Sequence, residues 1–222
     1  MKRAYGCQDT RSSAPSADSP PAEAFKLSAS QKAVLLRRAR EAIACHLRSE
    51  KLPALENSDP TLRRATGVFI TLRTIPQPDG SVDDLVDPHP DGPLRGCVGR
   101  MQADLPLLQA VQEIAVRSAT RDPRFPSLEL DELANTRIEI SLLTPLTLVT
   151  DVRLIEVGRH GLVMESDSHR GVLLPNVAVT RGWNREQFIT YTCRKAGLPP
   201  GSWPGRAKLY LFEAVAFAEW SI

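Results

Sequence analysis

Hydrophobic and polar positions along this chain alternate between two periods. In "LSASQKAVLLRRAREAIACHLRSE", Leu36, Ala39, Ile43 and Leu47 recur at helical spacing and predict a helix. Ser28 and Gln31 fit a capping box at its start, and Leu27 is placed for a hydrophobic staple. The adjacent Cys45 and His46 point to different helix faces, so they read as a core thiol and a surface histidine. Val68, Ile70 and Leu72 then alternate through "GVFITLRT" and predict a half-buried strand. After a loop dense in Pro, Asp and Gly that carries His89, the chain resumes as "PLRGCVGRM", strand-like but interrupted by glycines. Leu108, Val111, Ala115 and Ala119 share a face of a second helix, "RDPRFP" breaks it, and "TRIEISLLTP" alternates again.

The second half repeats that order. "RLIEV" and "HGLVMES" read as strands, and "DSH" turns the chain into "RGVLLP". Asn184 and Gln187 cap a helix that ends at Gly197-Leu198, with Pro199 after it. "AKLYLFEAVAFAEW" closes with strand alternation. Strand, strand opening on Arg-Gly, helix, strand therefore occurs twice, an internal duplication in which Cys97 corresponds to Val172. The runs predict an α+β fold with antiparallel or mixed sheets and helices. We expect a compact, two-lobed single domain over residues 27–222 after a disordered tail, residues 1–26, rich in Ser, Ala and Pro.

Composition narrows the function classes. Of 222 residues, 42% are hydrophobic, enough for a real core, and the formal net charge is only +2. Part of that excess lies in the tail, so the remaining domain is nearly neutral and nucleic acid is not the expected partner. No segment reaches the roughly 18 consecutive apolar residues of a membrane helix, and a cytoplasmic location is expected. Cys7, Cys45, Cys97 and Cys193 form no CxxC pair and no Cys/His cluster at zinc spacing, so no metal site is expected. No Gly-rich phosphate loop is present either, and the cofactor stays unassigned.

The candidate chemistry centres on "DGPLRGCVGRMQ". Gly96 and Gly99 leave room for a ligand or another backbone beside Cys97. Arg95 and Arg100 are cations that could lower its pKa, and the start of the following helix could add its positive end. On a regular strand only Arg95 and Gly99 share the face of Cys97. The other reading is a small side chain packed in a crowded strand. His160, in "GRHGL", is the candidate base, against a histidine hydrogen-bonded in a turn. In "RDPRFP", Arg121 and Arg124 could clamp an anion together with Arg95, or Asp122 could simply hold the loop. Cys193 falls on the inner face of the last helix, and Trp183, Trp203 and Trp220 read as packing residues.

"LRGCVG" closely matches the Leu-Arg-Gly-Cys-Ile-Gly hexapeptide of the AMMECR-type domain, with Val98 in the isoleucine place. The likeness continues through "RDPRFP", "IEISLLTP", "GRHGL", "LLPNVA", "GWNREQF" and "TCRKAGLP", in the family's order, over roughly residues 30–220. The chain thus resembles the A component of the AmmeMemoRadiSam system. That resemblance implies a two-lobed α+β fold, with Memo-type and radical-SAM proteins as candidate partners. It marks Cys97 as the suspected catalytic residue and supplies no reaction. Asn176 departs from the glutamine frequent at its place. Two functions follow. One is a thiol-dependent enzyme or enzyme subunit, with Cys97 and His160 catalytic and Arg95, Gly96, Gly99, Arg121, Asp122 and Arg124 binding the substrate. The other is a non-catalytic protein-binding module in which the strand is a packing or docking element.

Overall fold

The structure, a computed structural model, describes residues 26–54, 59–75 and 91–219. Cys7, His89, Trp220 and nearly all of the expected N-terminal tail lie outside the described residues. Two compact units are distinguished. One holds the residues up to Leu143 together with those from Val215 onward; the other holds Thr144–Ala214.

In the first unit, helix α1 (Ala29–Leu47) starts with the expected capping box, both hydrogen bonds being present between Ser28 and Gln31. A short helix α2 (Pro60–Arg63) follows, with Asp59 accepting from the Thr61 amide at its start. Strand β1 (Gly67–Thr74) pairs antiparallel with β2 (Leu94–Arg100) on one side and β3 (Thr136–Leu143) on the other. The strand order is β2-β1-β3, with the end of β7 (Lys208–Ala218) beside β3. Alternation divides the sheet into two faces. Val68, Ile70 and Leu72 of β1 and Ile138, Ile140 and Leu142 of β3 are buried in a core shared with α1 and α3 (Leu107–Thr120). The opposite face carries Phe69, Thr71 and Arg73, with Cys97, Gly99, Glu139 and Ser141 in register with them. Helix α3 presents Leu107, Val111, Ile114 and Ser118 inward, so a serine interrupts an apolar stripe.

In the second unit, β7 is flanked by β4 (Thr147–Leu148) and by β5 (His160–Glu165), and β5 pairs with the outer strand β6 (Arg170–Leu173). Helix α4 (Pro175–Thr180) precedes α5 (Arg185–Lys195), whose capping box joins Asn184 and Gln187. At its other end Gly197 takes φ +74°, Leu198 N–H donates to the Cys193 carbonyl, and Gly197 N–H donates to that of Arg194. That double bond pattern is a Schellman stop. Leu162, Met164, Phe188, Cys193 and Leu209 form this unit's core, with Trp183 and Trp203 packed against it.

Two expectations are corrected. "RLIEV" is not a strand: Val152–Leu154 form a 3-10 turn, opened by Asp151 accepting from the Arg153 amide. Cys45 is half-buried rather than a core thiol, and it lines an open groove.

The duplication appears as structure. β1-β2-α3-β3 and β5-β6-α5-β7 share connectivity, apart from α4 inserted between β6 and α5, and give the local orders β2-β1-β3 and β6-β5-β7. Gly96 faces Leu72 and Gly171 faces Met164 across equivalent strand pairs. A Cβ at Gly96 would stand 2.3 Å from the Ser118 carbonyl oxygen, and one at Gly171 would stand 2.2 Å from the Ala196 nitrogen. Each glycine lets the end of a helix, α3 at Gly96 and α5 at Gly171, rest on the strand.

Candidate functional site

Cys97 opposes Thr71 on β1, and Thr71 opposes Glu139 on β3, so the three form one row across the sheet. The Thr71 hydroxyl donates to Cys97 Sγ at 3.4 Å. Thr71 and Ser141 on this face are buried, while Cys97 is half-buried. Burial pushes the Cys97 thiol above its ordinary value. The hydrogen bond from Thr71 and the charge of Arg124 pull the other way, and the carboxylates of Asp122 and Glu139 reinforce the rise. A thiol in these surroundings stays protonated at neutral pH.

The edge of β2 is held by the loop after α3. Asp122, nearly buried, accepts the Cys97 amide at 2.8 Å. It also accepts the Arg124 amide at 3.1 Å and that guanidinium at 2.9 and 2.6 Å. Burial pushes the Asp122 carboxyl up, but these hydrogen bonds outweigh it and leave it below its usual value. Arg124 adds a bond of 3.4 Å to the Cys97 carbonyl. The Val98 amide donates to Ser118 Oγ at 3.1 Å, and that hydroxyl donates to the Ile70 carbonyl at 3.0 Å.

The arginines beside Cys97 in sequence face carboxylates. Arg95 is forked onto Glu132 at 2.9 and 3.0 Å, reaches the Pro126 carbonyl at 3.0 Å, and lies 6.0 Å from the Phe125 ring centre. Arg100 holds Asp104 through Nε at 2.7 Å. Gly99 lies under the Phe69 ring, whose nearest atoms would stand 2.2 Å from an added Cβ. The start of α3 does not point its positive end at the thiol. Its first amide donates to the Arg64 carbonyl, and its C-terminal turn meets β2, because the helix runs back along the sheet after β2 ends.

His160 belongs to the other unit. Its Nδ1 accepts the Glu156 amide at 3.0 Å, and Nε2 lies 4.0 Å from Glu213. A neutral imidazole with that acceptor occupied carries its proton on Nε2 and has no free lone pair for base catalysis. Burial lowers its pKa below the ordinary histidine value. Arg121 is exposed at the end of α3 and lines an open groove of about 450 Å³ with Cys45, His46, Glu113 and Arg117. Arg95, Cys97, Asp122 and Arg124 thus converge on one strand edge.

Sequence reading missed Thr71, Glu132 and Glu139, which reach this edge from other elements. Ser118 left a signal: a polar residue within the apolar stripe of α3. Among the described residues, no group of three or more His, Cys, Asp or Glu side chains is placed to hold a metal ion, and no helix is long and apolar enough to cross a membrane.

The family model AMMECR1 matches residues 36–217. The chain belongs to the AMMECR1 family. Its AMMECR1 relatives include a protein of Methanopyrus kandleri, 39% identical over 204 residues, covering 87% of this chain and 91% of that one. A protein of Methanocaldococcus jannaschii is 37% identical over 191 residues, 83% of this chain and 88% of its own. The crystal structure of the uncharacterised protein PH0010 from Pyrococcus horikoshii superimposes with a TM-score of 0.72 at 38% identity, covering 84% of this chain and 90% of that one. The AMMECR1 fold is therefore α+β, as the periodicities predict.

Proposed function

We propose that this AMMECR1 chain works as a non-catalytic protein-binding module in which "LRGCVG" is a packing and docking element. The observation that carries the reading is how fully the motif is engaged within its own unit. Arg95 is forked onto Glu132, Gly96 lies under the end of α3, and Gly99 lies under Phe69. Arg100 holds Asp104, and both backbone polar groups of Cys97 are bonded by the "RDPRFP" loop. A nucleophilic thiol needs a lowered pKa or a base within reach. Cys97 has the opposite shift: burial and the carboxylates of Asp122 and Glu139 outweigh the Thr71 hydroxyl and the Arg124 charge, and among the described residues no base is bonded to its sulfur. The resemblance names the partners to test, a Memo-type protein and a radical-SAM protein, and no nucleic acid or membrane enters the reading.

A second reading, a thiol-dependent enzyme acting with the same partners on a small molecule or a protein, is favoured by one observation. The repeat places Val172 where the first half has Cys97, so the architecture itself does not require a thiol.

Titrating the purified Memo-type and radical-SAM proteins onto the parent chain and onto Cys97→Ser separates the two. The module reading expects binding to at least one partner, with the variant within about threefold of the parent. Absence of binding to both, or loss of a partner-dependent product with binding intact, overturns it.

A further inference from the structure

The duplication gives each arginine of the two Arg-Gly strands a counterpart. We infer that Arg170 is an anion-binding residue whose carboxylate is supplied from outside the chain, by a small dicarboxylate or by an acidic side chain of a protein partner. The inference is independent of what Cys97 does.

Arg95 shows what this position does when it is satisfied. It stands second in β2, one residue before the close-approach glycine, and Glu132 grips it with both carboxylate oxygens at 2.9 and 3.0 Å. Arg170 opens β6 one residue before Gly171, the glycine that meets the end of α5 in the same way. Yet Arg170 Nε is buried without a hydrogen-bond partner, and among the described residues the guanidinium forms no ion pair. Glu165 is its cross-strand partner on β5, but no salt bridge joins the two side chains. A buried donor left without an acceptor is costly, and a planar guanidinium is shaped for a forked carboxylate.

The sequence shows why the partner is missing. Glu132 comes from the segment between α3 and β3, residues 121–135, which holds four acidic residues. The matching segment between α5 and β7, "AGLPPGSWPGRA", residues 196–207, holds none. The second repeat keeps the arginine and lacks the carboxylate. The surroundings favour an anion. His169 precedes Arg170, Lys208 lies in the same cross-strand row beyond Glu165, and α5 ends against β6 with Arg194 and Lys195. Asp167 and Glu165 are the nearby carboxylates in sequence and register, and neither forms an ion pair with this guanidinium. Among the described residues β6 is the outer strand of its sheet, with no strand neighbour at its far edge.

Arginine side-chain Nε–Hε resonances report this contact directly. Succinate, inorganic phosphate and a tetraglutamate peptide are titrated separately into the full chain at constant ionic strength. We expect the Arg170 signal to move saturably with a carboxylate probe while that of Arg95 stays fixed, and binding to weaken at least tenfold in Arg170→Lys, which keeps the charge but loses the fork. Saturation by succinate identifies a small ligand, and saturation by the peptide alone identifies an acidic protein segment. A response to phosphate alone, or an Arg170 shift no larger than that of the exposed Arg181, overturns the inference. So does Arg170→Gln binding as tightly as the parent, and near-parental melting of the variants shows that a loss of binding is not a loss of fold.

Discussion

Asp122 is the single residue on which the Cys97 strand depends most. One nearly buried carboxylate holds the Cys97 amide and both the amide and guanidinium of Arg124. Asp122→Ala leaves a strand amide without its acceptor and releases a half-exposed arginine, and we expect a loss of about 2 kcal/mol in urea unfolding. Asp122→Asn should lose less, because one amide oxygen still accepts from Cys97. The loop-holding use of Asp122 is legible in "RDPRFP", since an aspartate before proline is shaped for such turns. Glu132 is not legible, because it lies 37 residues from the arginine it grips and only the fold brings the two together. The sequence likewise does not tell whether Arg95 faces a thiol or a carboxylate; both lie within reach of a long side chain.

At the scale of elements, the two repeats make matching predictions. Gly96→Ala and Gly171→Ala both drive a Cβ into helix backbone, at 2.3 and 2.2 Å, so each should cost about 2–3 kcal/mol in thermal or urea unfolding. Gly99→Ala meets the side chain of the half-buried Phe69 instead of backbone, and that side chain must shift as a whole, so its cost should be about 1–2 kcal/mol, below that of the other two. If the two helix-facing glycines tolerate alanine, the equivalence of the repeats has no energetic content. Most elements are legible in period and caps: α1 and α5 carry their capping boxes, and β1 sends Val68, Ile70 and Leu72 into the core. Thr71 and Arg73 on its other face are buried as well, so the strand is not the half-buried one expected. "RLIEV" shows where period misleads. Its residues alternate like a strand, but Asp151 accepts the Arg153 amide and turns the chain instead. The short helices α2 and α4 escape reading because each spans too few residues to show a period.

For the whole molecule, the shifted groups set a pH profile. Asp104, Asp122 and Glu132 sit below their usual values, so their contribution is complete above roughly pH 4–4.5 and is lost as pH falls through their folded-state values. His160 is lowered by burial, so the unfolded chain takes up its proton first and stability falls as pH drops below about 6.5. Cys97 is raised, so the unfolded chain releases its proton first and stability falls as pH rises past about 8.5. Urea midpoints measured across pH should therefore be highest between about pH 6.5 and 8.5. His160→Gln should flatten the shoulder on the acid side, and an unchanged shoulder would contradict the histidine's part in it.

The central claim is that Cys97 is a protonated, structurally engaged thiol. The direct test is its alkylation rate against pH on the folded chain, resolved cysteine by cysteine by mass spectrometry, with the unfolded chain as reference. We predict a Cys97 midpoint above that of the unfolded chain, about 8.5, together with slow reaction at neutral pH. A midpoint below it, with fast labelling of the folded protein, would make Cys97 an accessible thiolate and contradict the account.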